Sequence, residues 1–207
     1  MKLSIPLVFA GFLFFVFACT KESINPRDQS DIAELSQLNV GNQWIYETYT
    51  VDPDGIEKYR TNDTTLILGD TVIDGQHLYV ESSSFDGLKI TKLIFQDGQS
   101  IRSYPSNDVL FSLDTTMTYR QYTTGGSPDT LLITDYRLVG KQNVRVPAGE
   151  FEAYEFQGEA RSQITSSVVY NRAFYASGAG LVLQICPFVH GNGHRFEQRL
   201  VEFSRFR

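Results

Sequence analysis

From Val40 onward the chain alternates apolar and polar side chains with a period of two, and tight-turn dipeptides cut this alternation again and again. The run "NQWIYETYTV" puts Trp44, Tyr46 and Thr48 on one face and Ile45, Glu47 and Tyr49 on the other. That is the pattern of a strand, whose successive side chains point to opposite sides. "DPDG" at residues 52–55 supplies Pro and Gly where a reversal wants them. Its acids and glycine do not continue into a calcium-loop pattern, which leaves turn chemistry as the reading. "TLILGDTVIDGQHLYVESS" and "LKITKLIFQDGQSIRSY" each straddle an Asp-Gly pair, at Asp74-Gly75 and Asp97-Gly98. An Asp-Gly pair between alternating runs is a strong hairpin signal, because both central residues of the favoured turn need positive φ.

The second half continues the theme. In "VRVPAGEFEAYEF", Val144 and Val146 share a face. Pro147 has no N–H for a ladder, so it belongs at a strand end or edge. Gly149 can take a positive φ, and Phe151 restarts the alternation. The stretch reads as a hairpin corner. "NDVLFSLDTTMTYRQYTTGGSPDT" holds one strand-like piece and an exposed loop around Gly125-Gly126-Ser127-Pro128. The closing runs "SSVVYNRAFYA", "GLVLQICPF" and "HRFEQRLVEFSRF" are separated by glycine clusters. Strand-like runs every ten to fifteen residues, with no helical period between them, predict an all-β domain over residues 39–207. The expected architecture is a single antiparallel, strongly curved meander sheet, a half-barrel or open barrel with little helix. The residues suit it: 15 Phe and 11 Tyr accompany many Thr and Val. A single sheet buries both faces only by curling or pairing, and a curled sheet offers its concave side as a pocket for an apolar or sugar ligand.

The first residues, "MKLSIPLVFAGFLFFVFACTKES", are of another kind. Lys2 precedes an apolar run from Ile5 to Ala18, shorter than the ~20 residues a spanning helix needs. The run ends on Ala18-Cys19 and turns polar at once, which resembles the lipobox of bacterial lipoprotein signal peptides. Phe17 is bulky for the position two before the Cys. The alternative is an ordinary signal peptide. The resemblance implies a signal peptide at 1–18 and lipid attachment at Cys19, with acyl chains such as palmitate fixing the protein to the membrane. Several chains on one residue make anchoring effectively permanent. Thr20, not Asp, follows the Cys, which by resemblance to lipoprotein sorting rules implies the outer membrane, with the domain facing the periplasm or the cell surface. Residues 19–38 then form the lipidated Cys and a polar tether. Within it "SDIAELSQL" could make one or two helical turns, with Ser30 as N-cap and Ile32, Leu35 and Leu38 at helical spacing. As flexible chain, residues 20–38 would reach roughly 25 Å. With Cys19 acylated, Cys186 has no partner in the chain and reads as a small buried hydrophobe. A Cys19–Cys186 bridge is the rival and requires that no lipid be attached.

Three segments carry a further resemblance. Gly41 to Tyr46 fits Gly-Asn-x-Trp-x-Tyr, Val146 to Phe151 fits Val-Pro-Ala-Gly-x-Phe, and Tyr175 to Val182 fits Tyr-Ala-x-Gly-x-Gly-Leu-Val. Together they are similar to a set in bacterial lipoproteins of the TapB-like kind, which implies a curved antiparallel sheet akin to the LolA-like half-barrel. The resemblance carries no catalytic residues across. The long helices of lipoprotein carriers have no counterpart here, so it implies a fold and not a carrier's function.

The constellations that could carry chemistry are sparse. Cys186, His190 and His194 are spaced by four, which on a helix would suit zinc. Pro187, Gly191 and Gly193 make that segment a loop, and no metal is expected. His77 falls on a strand as a half-exposed residue. Glu150, Glu152 and Glu155 read as a solvated strand face, although a carboxylate pair for glycoside hydrolysis would leave no mark in sequence. There is no Gly-x-Ser-x-Gly elbow, and Gly178-Ala179-Gly180 precedes a strand instead of a helix. The net charge of −6 opposes nucleic acid. The expectation is a non-enzymatic, cofactor-free binding module for a hydrophobic or glycan ligand. The alternative is a module docking another envelope protein, and a hydrolase comes third.

Overall fold

The computed structural model describes residues 26–124, 131–162, 167–188 and 193–206. One helix, α1 (Pro26–Ser36), precedes β1 (Gln43–Val51), β2 (Glu57–Ile73), β3 (Gln76–Phe85), β4 (Leu88–Asp97), β5 (Ser100–Tyr104) and β6 (Val109–Ser112). Then come β7 (Tyr119–Thr124), β8 (Leu131–Val146), β9 (Gly149–Ser162), β10 (Val168–Ala176), β11 (Gly180–Pro187) and β12 (Arg195–Ser204). These strands form one antiparallel sheet in the order β6-β5-β4-β3-β2-β1-β12-β11-β10-β9-β8-β7, curled into a nearly closed barrel. The strongly curved antiparallel sheet expected from the alternation is therefore what forms. Two six-strand meanders are joined through the first and last strands, with Gln43 opposite Ser204 and Val51 opposite Arg195.

The outer strands of the sheet, β6 and β7, lie side by side. The Gln121 side-chain amide of β7 donates to the Leu110 carbonyl at 2.9 Å and the Val109 carbonyl at 3.3 Å. A side chain thus bridges the seam. Register shifts at Ile45/Tyr46, Ile67/Gly69 and Leu138/Gly140 mark bulges. Bulges sharpen local twist, which is how a sheet of this width curls. At Gly158 the absence of a side chain is required. An added Cβ would stand 2.5 Å from the Tyr136 ring, which lies across the strand there.

The segment expected as tether differs in its second half. The helix starts at Pro26, ahead of Ser30, since the fixed φ of Pro suits a first helical turn. Ile32 and Leu35 are buried, and Leu38 packs against both core clusters. An apolar face at helical spacing seeks cover, and here the inside of the barrel supplies it. The Gly178 N–H donates to the Glu34 carbonyl at 2.9 Å, and the Ser177 hydroxyl donates to the Glu34 carboxylate.

The three segments with the lipoprotein-like pattern meet in space. The Trp44 indole N–H donates to the Ala179 carbonyl at 2.6 Å, and the Tyr46 hydroxyl to the Leu181 carbonyl at 3.1 Å. The Ala148 N–H at the β8–β9 corner donates to the Leu200 carbonyl at 3.0 Å, and Leu200 pairs with Tyr46. Trp44 also stacks on Phe203 at 5.0 Å. Gly180 has φ +78°, and a Cβ on it would meet the Trp44 indole at 3.0 Å. The pattern residues therefore knit β1, β11 and β12 to the β8–β9 corner.

A buried carboxylate fastens the β3–β4 turn. Asp63 accepts from the Thr48 hydroxyl at 2.5 Å, the Asp86 N–H at 2.9 Å and the Gly87 N–H at 3.1 Å. Burial alone pushes its carboxyl up, but these hydrogen bonds outweigh burial and hold it below the ordinary value of 3.8. A depressed folded pKa stabilises the charged form, so the stabilisation is present above pH 3.8 and lost as pH falls through the lower folded value. Asp63→Asn should cost about 2–3 kcal/mol near neutral pH. Urea unfolding of both proteins should show that gap closing below pH 3.8. Trp44→Phe, which removes the indole N–H facing Ala179, should cost about 1–2 kcal/mol in the same assay.

Candidate functional site

The barrel is not filled. A cavity of about 420 Å³ lies inside the sheet, with Leu35 and Leu38 of the α1 segment among its walls. Its position follows from the strand period. On the β3–β4 hairpin, Tyr79 pairs with Ile94, Glu81 with Lys92, Ser83 with Ile90 and Phe85 with Leu88. Glu81, Lys92, Ser83, Ile90, Phe85 and Ile94 all line the cavity. Ile94 is 1% exposed, whereas Ile90 and Leu88 are 59% and 73% exposed. The inward row of the hairpin thus runs from buried beside the helix to open at its tip.

Aromatic rings build much of the wall. Phe111 stacks on Tyr175 at 4.4 Å, and Phe156 meets the edge of Tyr175 at 5.5 Å. Tyr119 stacks on Tyr136 at 5.6 Å. Ile67, Ile94 and Ile101 add an aliphatic side. Such contacts give apolar area with fixed geometry.

The polar groups are set among these rings. The Lys92 ammonium meets the Glu81 carboxylate at 3.0 Å. The two side chains are about one-third and one-sixth exposed, respectively, so the pair is only partly desolvated. Burial pushes the Tyr46, Tyr119 and Tyr175 hydroxyls well above their ordinary value, with Glu81 adding to the rise at Tyr46 and Tyr175. Tyr136 is pushed up to about 12 by burial, and its hydroxyl accepts from the Asn171 side-chain amide at 3.3 Å. All four are neutral phenols near neutral pH, able to donate and accept but not to act as bases.

The residues singled out from the sequence are scattered. Cys19 and His190 lie outside the described residues. His194 stacks on Phe188, and its carbonyl accepts from the Phe188 N–H at 2.8 Å. Cys186 is a half-buried free thiol, pushed up to about 11 by burial, and it accepts from the Gln184 amide at 3.4 Å. That is the state of an inert thiol. His77 is half exposed, 2.6 Å from the Asp70 carboxylate, with its ring 4.7 Å from Tyr79. Glu150 and Glu152 are exposed, paired with Arg145 and Lys141. Glu155 departs from the solvated face. It is half-buried between the Arg172 guanidinium at 2.6 Å and the Gln142 amide at 2.8 Å. None of the described residues among these lines the cavity. Trp44, Tyr46 and Tyr175 of the patterned segments do line it, whereas Glu81, Lys92, Tyr119 and Tyr136, which line it too, carry no motif. One signal was available: Glu81 and Lys92 are each five residues from Asp86-Gly87, so a hairpin at that pair sets them face to face.

No protein-family model matches the chain, and no curated protein is similar to it in sequence. Solved structures do resemble it. A candidate lipoprotein from Parabacteroides distasonis superposes with a TM-score of 0.51 at 12% identity, covering 81% of this chain and 96% of that one. A Bacteroides fragilis protein described as exported, with a YmcC-like fold, gives 0.50 at 13% identity, covering 81% and 97%. The curled twelve-stranded sheet is thus a fold this chain shares with a structure described as YmcC-like.

Proposed function

We propose that the protein is a lipid-anchored binding module of the bacterial cell envelope, held at the membrane through Cys19 and carrying a small ligand inside its barrel. The observation that carries this reading is the unfilled interior of about 420 Å³. Close packing is the rule in protein cores, and spaces of this size usually hold a ligand. The descriptions of the two similar structures as a lipoprotein and an exported protein agree with an envelope location. Thr20 after the Cys favours the outer membrane.

We take the role to be binding and not catalysis. The charged pair on the wall is internally neutralised, the tyrosines are held protonated, and the thiol of Cys186 is held protonated. Docking through a free sheet edge is less favoured, because β6 and β7 face each other across the Gln121 bridge.

Two measurements test the reading. Native mass spectrometry of the protein purified gently from its own host should show a retained small molecule; a clean apo mass would count against a ligand in the barrel. Cells fed labelled palmitate should label the wild type and not Cys19→Ser. Equal labelling of the two would remove the anchor.

A further inference from the structure

The hydrogen-bonding capacity of the cavity is mostly spent on the protein itself. The Gln121 amide is committed to two carbonyls of β6, and the Gln198 amide to the Asp63 carboxylate and the Ser84 carbonyl at 3.4 Å each. The Gln184 amide is turned to Cys186, the Tyr46 hydroxyl to Leu181, and Lys92 to Glu81. Four wall hydroxyls make no hydrogen bond among the described residues: those of Thr65, Ser83, Tyr119 and Tyr175. Tyr119 is the telling one. Its ring is buried, while its hydroxyl makes no hydrogen bond among the described residues and is not sealed within protein, so it is open to the cavity that the residue lines. Tyr175 belongs with it, since both side chains sit in the same core cluster and line the same cavity.

This remaining set discriminates between ligand chemistries. All four groups are uncharged hydroxyls. A saccharide carries a hydroxyl on nearly every carbon and would leave most of them unpaired against the apolar wall of Ile94, Ile101, Phe111 and Leu35, which is costly. A free carboxylate would find Lys92 already paired and would stand beside the Glu81 carboxylate. A compact oxygen group on an apolar chain satisfies both constraints. Resting on the reading of the barrel as a binding site, we propose that its ligand is an uncharged single-chain amphiphile, an alcohol or ester, whose oxygen accepts hydrogen bonds from Tyr119 and Tyr175.

Trp44 is the one tryptophan of the chain and lines the cavity, so its emission reports on occupancy. The full lipidated chain in phosphatidylcholine liposomes is titrated with 1-decanol, decanoate and maltose, with Tyr119→Phe and Tyr175→Phe alongside. Each variant loses one oxygen and keeps its ring, and circular dichroism confirms its sheet. Saturable binding of decanol is expected, with decanoate at least about tenfold weaker and no response to maltose. Each variant should weaken decanol by about five- to tenfold, the worth of one neutral hydrogen bond. Decanoate binding as tightly as decanol, a response to maltose, or variants that bind like the wild type would each overturn the amphiphile assignment while leaving the barrel a binding site. Silence of Trp44 toward all three probes would overturn both.

Discussion

The pairing of the first strand with the last is the constraint on which the rest of the structure depends. Each half of the chain is a meander that would, alone, present a long unpaired edge and an uncovered apolar face. Joining β1 to β12 moves the free edges outward to β6 and β7, which span only Val109–Ser112 and Tyr119–Thr124. Those short edges then meet, and Gln121 makes with its side chain the bonds a ladder would have made. Trp44, Tyr46 and Leu200 guard the central pairing from the inside, and the Ala148 N–H reaches Leu200 from the β8–β9 corner.

Closure of so wide a sheet has a volumetric result. The interior of a barrel grows with strand number, and side chains fill it only when strands are few. Here α1, with Ile32 and Leu35, occupies part of the space, and the Phe111–Phe156–Tyr175 group occupies another. What is left is bounded by rings and isoleucines, with its amides and its one ion pair already engaged. The cavity is thus a consequence of the same curvature that hides the edges.

Much of the fold was legible because turn chemistry is local. Asp74-Gly75, Asp97-Gly98, the corner at Pro147–Gly149 and the turn before Gly180 all lie where the residues demanded them. Asp86-Gly87 was passed over because Ser82, Ser83 and Ser84 precede it and blur the alternation, and with it went the pairing of Glu81 with Lys92. The stretch that holds β6 and β7 was read as one strand-like piece, since both strands are short and β7 ends in polar threonines; the loop expected around residues 125–128 lies outside the described residues. The burial of Ile32 and Leu35 was hidden for another reason: a short helix flanked by polar residues looks like linker until something covers it. The expected meander order holds within each half, but the joint of β1 with β12 was beyond reach, because no local signal says that residue 44 lies beside residue 203.

Placing β12 in the middle of the sheet has a temporal side. A polypeptide emerging from a ribosome delivers β1 long before Arg195–Ser204. Until β12 arrives, the flank of β1 stays vacant and neither meander can shut its core. Closing the sheet therefore waits on two strands far apart along the chain, a pairing whose loop-closure entropy makes it slow to form.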